Sequence, residues 1–503
     1  MGFARACGIL KEKERIVSNN PTKLERERLM GKTKNPEGWM TRPIERGSYW
    51  SYFVGQNVYY NLTAAFITTY LAMQGISLAK AGVVLLLVKI WDAINDPLFG
   101  YIFDKVKFKS GKKSIPWLRI AVLFIPFVTI AVFAIPSGLS EVGKLVWFGV
   151  AYILWDSVYT LTDVPAYSML TTMTDNLQER GTLLAINRIF SGVGGALYSV
   201  VLTFLISETV GLSVTWSVVI LSVFSALTMV PLCVFGKERN YKPEQEEENF
   251  SIRQMISYLV KNKYLLIYYG GYFATDGLKT SGAVALFAAF YLFGSANFNI
   301  ILSVVGMVPG FLVALCMPVL IRKFDKFKML VWCNVANIVL GLVIYFAGWE
   351  NQIFFLTMTV IRSIPLSIAG NLYFMFTPDC AEYGQYKSGI AAKGITFSIQ
   401  TFTVKITSAV ATSLALFLLG LFSWVNVEAE SFAQLEEMGV TQSPLAMQGL
   451  WFVYALMPVI GLIISAVFFW FYKLNDGDVQ IMAKCNAGEI SREEAEAQLS
   501  RKY

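Results

Sequence analysis

Lys89-Ile-Trp-Asp92-Ala-Ile-Asn95-Asp96-Pro97 lies inside a segment, residues 79–104, that is otherwise apolar enough to cross a bilayer. At helical spacing Lys89, Asp92, Asn95 and Asp96 share one face. A carboxylate near the membrane midplane costs about 2.5–3.5 kcal/mol on insertion scales, so it persists where a cation, a partner charge or a water-filled cavity offsets that cost. That face is turned away from lipid, and the segment reads as a membrane helix with a polar lining. The whole composition agrees: of 503 residues 55% are hydrophobic and 15% charged, and the mean hydropathy is +0.52, far from a soluble chain.

Windows of about 20 apolar residues fall near 50–72, 79–104, 116–136, 144–173, 182–207, 211–235, 263–293, 297–321, 328–348, 353–377, 393–422 and 450–474, which predicts twelve spans. Basic residues collect in alternate connections, at Lys105, Lys107, Lys109, Lys112 and Lys113 and again at Arg322, Lys323, Lys326 and Lys328. By the positive-inside rule both termini are then cytoplasmic and the plasma membrane is the expected location. The connection at 423–449 carries Glu428, Glu430, Glu436 and Glu437 without Lys or Arg and reads as external. The net charge of +7 is topological, so no nucleic-acid partner is expected.

Residues 1–46 are polar, lack an apolar h-region and hold Pro21, Pro36 and Pro43, the mark of a cytoplasmic leader rather than a cleaved signal. Six spans over 47–235, a charged linker at 236–262 holding Lys-Pro-Glu-Gln-Glu-Glu-Glu at 242–248, six spans over 263–474 and a cytoplasmic tail at 475–503 give a two-half organisation. Phe103-Asp104-Lys105 after span two is echoed by Phe324-Asp325-Lys326 after span eight. Two such halves place a transport site at their interface near the midplane. Six scattered cysteines, without a C-x-x-C pair, are expected to be free thiols. The chain has no histidine, which removes His-based acid–base chemistry and makes an enzyme the last reading.

Span four supplies a second polar face, with Asp156, Thr160, Asp163 and Tyr167 at i, i+4, i+7 and i+11. Pro165 predicts a break in the helical ladder there, with freed carbonyls available to a ligand. If the faces of spans two and four meet, Asp92, Asn95, Asp96 and Thr160 gather hard oxygen ligands suited to sodium, with a proton on one carboxylate as the alternative. The bland reading is that these acids pair with Lys89, Arg188, Lys279, Arg362 or Lys405. Asp156 is left open between a buried role and solvation near the outer surface.

Trp91-Asp92-Ala-Ile-Asn95-Asp96-Pro97-Leu-Phe-Gly100, followed by Asp104 and Gly111-Lys112, resembles the span-two signature of the glycoside-pentoside-hexuronide:cation symporters. Tyr159-Thr160-Leu-Thr-Asp163-Val-Pro165, Glu179-Arg180 to Asn187-Arg188, and Asp379-Cys-Ala-Glu382-Tyr383-Gly384-Gln-Tyr-Lys387-Ser-Gly389 are similar to further stretches of that family. The resemblance implies an all-α integral membrane protein of twelve transmembrane helices in the major-facilitator fold. It implies a coupling-cation site at Asp92, Asn95, Asp96 and Thr160, and sugar contacts at Asp163 and Arg188. Tyr167 falls where a well-known member has a tryptophan against the sugar ring. Lys405, in Gln400-Thr401-Phe-Thr-Val-Lys405, matches a span-eleven lysine near both sites, which brings Gln400 and Thr401 into the expected substrate set. Arg180, Lys387 and Asp104 match basic and acidic loop positions read as gating or structural contacts.

Asn57 stands where that member has a sugar-binding aspartate; its amide can still donate and accept hydrogen bonds. Asp276, Lys279 and Arg362 add charges in the second half, Asp276 with Lys279 as an i, i+3 pair and Arg362 as a binder of a carboxylate-bearing sugar. The expected function is therefore Na+- or H+-coupled symport of a sugar, glycoside or uronide by alternating access, by a monomer with no cofactor beyond the coupling ion. Its electrostatic basis would be a pocket with two or three unneutralised acids when empty. The alternatives are a cation-dependent lysolipid or other amphiphile carrier and a membrane receptor without transport.

Overall fold

The computed structural model describes residues 39–106, 108–239, 260–389 and 393–502. Among them are twelve long helical segments. In the first half these are Pro43–Asn61 continuing through Leu62–Phe66 to Ala72, then Leu78–Lys105, Ser114–Val132, Glu141–Met173, Leu177–Ile206 and Val214–Phe235. The second half runs Lys263–Gly277 continuing by short turns to Leu292, then Phe298–Lys323, Lys326–Ala347, Gln352–Tyr373, Lys393–Leu421 and Pro444–Trp470 with a turn at Phe452–Leu456. They are numbered spans one to twelve below. Nine are long and apolar enough to cross a membrane by composition alone. The other three are spans one and seven, each divided by a π or 3-10 turn, and span two with its charged face.

The helices begin where local chemistry satisfies their free amides. Ser140, Asn176, Ser213, Asn262, Asp325 and Asn351 each accept from a first-turn N–H of the span that follows. Pro43 opens span one at a position where its missing N–H costs nothing. Span one packs on spans five and six, and two glycines permit the approach. A Cβ on Gly55 would run into the Ser225 carbonyl of span six, and one on Gly194 of span five into the Val54 carbonyl of span one.

The halves meet along two seams, span two against span eleven and span five against span eight. On the face opposite the termini they are zipped together. The Gly75 N–H donates to the Val427 carbonyl at 3.1 Å, Ala429 N–H to the Met73 carbonyl at 3.0 Å and Val214 N–H to the Glu430 carbonyl at 2.7 Å. Lys144, buried to its amine, pairs with Glu428 at 2.7 Å and donates to the Gln74 carbonyl at 3.0 Å. Phe287, Phe290, Trp424 and Phe432 pack edge and face beneath this zipper, one continuous core shared by both halves.

The face carrying the termini is built differently: among the described residues the polar clasps of Glu238, Arg239, Glu179 and Lys326 each stay within a half. Glu238 accepts from the amides of Lys113, Ser114 and Ile115 at the start of span three, and Arg239 pairs with Glu45 at 2.6 Å. Glu179 accepts from Met40 N–H and Thr41 N–H, both at 3.0 Å, and from the hydroxyls of Thr41 and Thr174. In the second half Lys326 joins Asp379 at 2.6 Å and Asp476 at 3.3 Å. Helices Asp476–Asn486 and Arg492–Gln498 dock on helix Phe376–Ser388 through Asn486 to Glu382 and Arg492 over Tyr386. The charged tail expected at 475–503 is thus a folded pair of helices.

Candidate functional site

A cavity of about 540 Å3 lies between the halves. Spans one, two, four and five of the first half line it, with span eleven and Phe374 from the second. Span one contributes Gln56, Asn57, Tyr60, Thr63 and Ala64, the last two from its π turn, a type of bulge frequent at functional sites. Asn57 donates to the Phe53 carbonyl and Asn61 to the Asn57 carbonyl, at 2.9 and 2.7 Å, bonding back along the helix just before the turn.

The faces of spans two and four meet as the spacing predicted. Asn95 is buried and donates to Thr160 Oγ1 at 2.8 Å and to Asp156 Oδ2 at 3.2 Å; Thr160 donates to the Asp156 carbonyl at 3.1 Å. Asp156, which the sequence left undecided, is 2% exposed and belongs to this oxygen cluster. The side chains of Asp96 and Asp104 lie outside the described residues. Span four continues as one helix past Pro165, whose missing N–H still leaves one carbonyl of the ladder without its donor, as expected. The Thr162 carbonyl, beside the one that Pro165 leaves without a donor, is taken by the Tyr52 hydroxyl at 2.8 Å and is not offered to a ligand.

Asp92 faces the cavity and accepts from Lys405 Nζ at 2.5 Å, so an ion pair ties span two of one half to span eleven of the other. Lys89 is buried in the same wall, within electrostatic reach of Asp92 and Asp156. The acids Asp92, Asp156 and Asp163 therefore share the lining with the bases Lys89, Arg188 and Lys405. Among the described residues the charges balance, whereas the sequence predicts an excess of acid; Asp96, part of that expectation, is not among the side chains described.

Toward span five the wall is polar and aromatic. Asp163 accepts from Gln56 Nε2 at 2.6 Å, and Arg188 and Tyr167 line the same region. Tyr167 is 47% exposed and stands edge-on to Phe53. Trp155 stacks on Tyr159 at 4.9 Å, and Tyr60 leans on Tyr159, making an aromatic platform on the cavity wall. The oxygens of Asn187 and Gln400 are buried with no partner, and both residues line the cavity, as does Thr401.

Three expected residues lie elsewhere. Arg362 is absent from the cavity lining and packs inside the second half against Gly341 of span nine, because the buried face of span ten here turns into its own bundle. Arg180 donates to the carbonyls of Thr174 and Thr171 at 2.7 and 2.8 Å, clasping the turn between spans four and five. Lys387 is exposed on helix Phe376–Ser388, away from the cavity. Asp276 does not pair with Lys279 but accepts from the Tyr272 and Thr407 hydroxyls at 3.2 and 3.3 Å, while Lys279 is exposed. Sequence reasoning overlooked Gln56, Tyr152, Trp155, Asn187, Phe374 and Ser408. Gln56 adjoins Asn57, and Asp156 precedes Thr160 by one turn, so the signal for those two was present.

Twelve spans in two halves around a charged, aromatic-walled central cavity define a membrane transporter of the major facilitator kind. The chain belongs to the family described as MFS/sugar transport protein, whose model matches residues 48–476. It is 24% identical to the Isoprimeverose transporter of Lactiplantibacillus pentosus, over 84% of this chain and 88% of that one. It is 24% identical to the Glucuronide carrier protein homolog of Escherichia coli (strain K12), over 84% of this chain and 91% of that one. The solved structure of the nucleoside transporter NupG superposes with a TM-score of 0.59 at 12% identity, covering 86% of this chain and all 100% of that one, a likeness of fold. The resemblance carried by spans two, four, five and eleven is thereby borne out, and the family is one of transporters rather than enzymes.

Proposed function

We propose that this protein is a cation-coupled symporter that imports a sugar, glycoside or uronide across the plasma membrane by alternating access. The observation that carries the reading is the Asp92–Lys405 pair, which bridges the halves inside a cavity whose adjoining wall offers Asp163, Gln56, Arg188 and an aromatic platform. Relatives named for transport of isoprimeverose and glucuronides support the substrate class. With the termini cytoplasmic, as the positive-inside pattern requires, the zippered face is external and the cavity belongs to an inward-facing carrier acting as a monomer.

In this reading the coupling ion is a co-substrate that competes with Lys405. Sodium or a proton on the Asp92, Asn95, Asp96 and Thr160 group takes over the charge that Lys405 neutralises and releases the lysine from the opposite half. The freed ammonium, with Gln400, Thr401 and Arg188, then holds sugar hydroxyls or a carboxylate together with Asp163, Asn57 and Tyr167. The ion pair restrains the unloaded halves, and loading both ligands replaces that restraint with contacts that travel with the cargo.

The test is uptake by purified protein in proteoliposomes, with neutral glycosides, pentosides and glucuronides offered under an inward sodium gradient, an inward proton gradient or neither. Saturable accumulation of one substrate class driven by one gradient, lost in Asp163→Asn, is the expected result. Binding without any gradient-driven flux would overturn the symport reading.

A further inference from the structure

Arg362 sits halfway along span ten, on the face that also presents Phe355 and Ala369 seven residues to either side, both 2% exposed. Its guanidinium lies against span nine, with Nη2 3.0 Å from where a Cβ on Gly341 would stand. Only the absence of a side chain at Gly341 lets the two approach. Its Nε is buried and has no hydrogen-bond partner. Among the described residues no carboxylate pairs with Arg362, and the ionisable side chain close enough to act on it is the Tyr454 phenol. A permanently charged group at this depth without a counter-charge is costly.

The neighbouring turn is unsatisfied as well. Asn337 precedes Gly341 by one turn on the same face of span nine, about 6 Å along the axis. It is 0% exposed, and neither its amide nitrogen nor its oxygen has a partner. One turn further, Asn334 donates to the Tyr373 hydroxyl at 3.1 Å while its oxygen has none. Val459 of span twelve closes the site from the other side of Gly341. A fixed cation one helical turn from an unmatched amide donor, with Val459 packed alongside, has the donor set of an anion site.

We propose that spans nine, ten and twelve hold a small monovalent anion on the Arg362 guanidinium, with the Asn337 amide as second donor. Arg362 does not line the central cavity, which favours a free halide over the carboxylate of a transported sugar. The ion fixes the charge of the second half independently of the cargo, and the inference stands whether or not the substrate is a sugar.

The purified protein tests it at fixed sodium concentration and ionic strength, with chloride, bromide, gluconate or glucuronate as the anion. Wild type is expected to show a saturable rise of its thermal unfolding midpoint with chloride and bromide but not gluconate. The half-saturating concentration rises at least about tenfold in Asn337→Leu, and the dependence vanishes in Arg362→Gln. Bromide-soaked wild-type crystals, which need no variant to fold, are expected to give an anomalous peak against Arg362. A midpoint indifferent to halide, or bromide bound elsewhere only, overturns the site. An Arg362-dependent response to glucuronate alone overturns the free-ion source.

Discussion

Replacing Lys405 with glutamine keeps a polar side chain one atom shorter and removes the charge that Asp92 accepts from at 2.5 Å. Both partners are 25% exposed, between the fully exposed pairs worth about 0.2–1 kcal/mol and the buried pairs whose breakage costs about 3–5 kcal/mol. The cost of leaving Asp92 uncompensated is then about 2 kcal/mol, or roughly thirtyfold in an equilibrium. If the co-substrate cation competes with the lysine, the same quantity appears with opposite sign in its affinity. Lys405→Gln should unfold at lower temperature without sodium, recover most of that loss at saturating sodium, and bind sodium about 10–30 times more tightly than wild type. The assay is a sodium titration of the thermal midpoint at constant ionic strength, with Asp92→Asn as the control that loses the response. Sodium affinity in Lys405→Gln equal to or weaker than wild type refutes the competition, because the lysine would then be an ally of the ion.

Glu179 is wholly buried and accepts from the hydroxyls of Thr174 and Thr41 and the amides of Met40 and Thr41. Glu179→Gln turns one acceptor oxygen of that clasp into a donor facing other donors and should cost about 1–3 kcal/mol of stability, read as a lower thermal unfolding midpoint. Gly194→Leu drives a side chain into the Val54 carbonyl and should lower the yield of folded protein in size-exclusion profiles by more than the about 1–3 kcal/mol of ordinary overpacking implies. Lys144→Ala removes the clasp on Glu428, which is half-exposed, so the shift toward opening on that face should be modest, about two- to fivefold; labelling of a cysteine placed at Ser191 by an impermeant thiol reagent from that side measures it.

Helical periodicity made the polar faces of spans two and four legible, and they meet through Asn95, Asp156 and Thr160. Asp156 was undervalued because depth along a 33-residue helix cannot be read from sequence. The Asp92–Lys405 pair joins positions 313 apart in sequence, and only the packing of the halves brings them together. Arg362 was assigned to the cavity because its charge is visible in the sequence and its azimuth is not: one helix face looks to the cargo, another into the bundle. Pro165 marked the gap in the ladder from sequence, but not that a tyrosine from span one would take the neighbouring Thr162 carbonyl.

The zipper at 73–75 against 427–430 and the self-contained clasps of the other face give the carrier a built-in asymmetry. On the terminal side the clasps of Glu179, Glu238, Arg239 and Lys326 are each closed within one half. Opening on the far side must strip main-chain hydrogen bonds, each needing water or a new partner before the strands separate. In the proposed cycle the unladen molecule is expected to idle with its mouth toward its own termini, with the unbuttoning of the far rim as the slower leg.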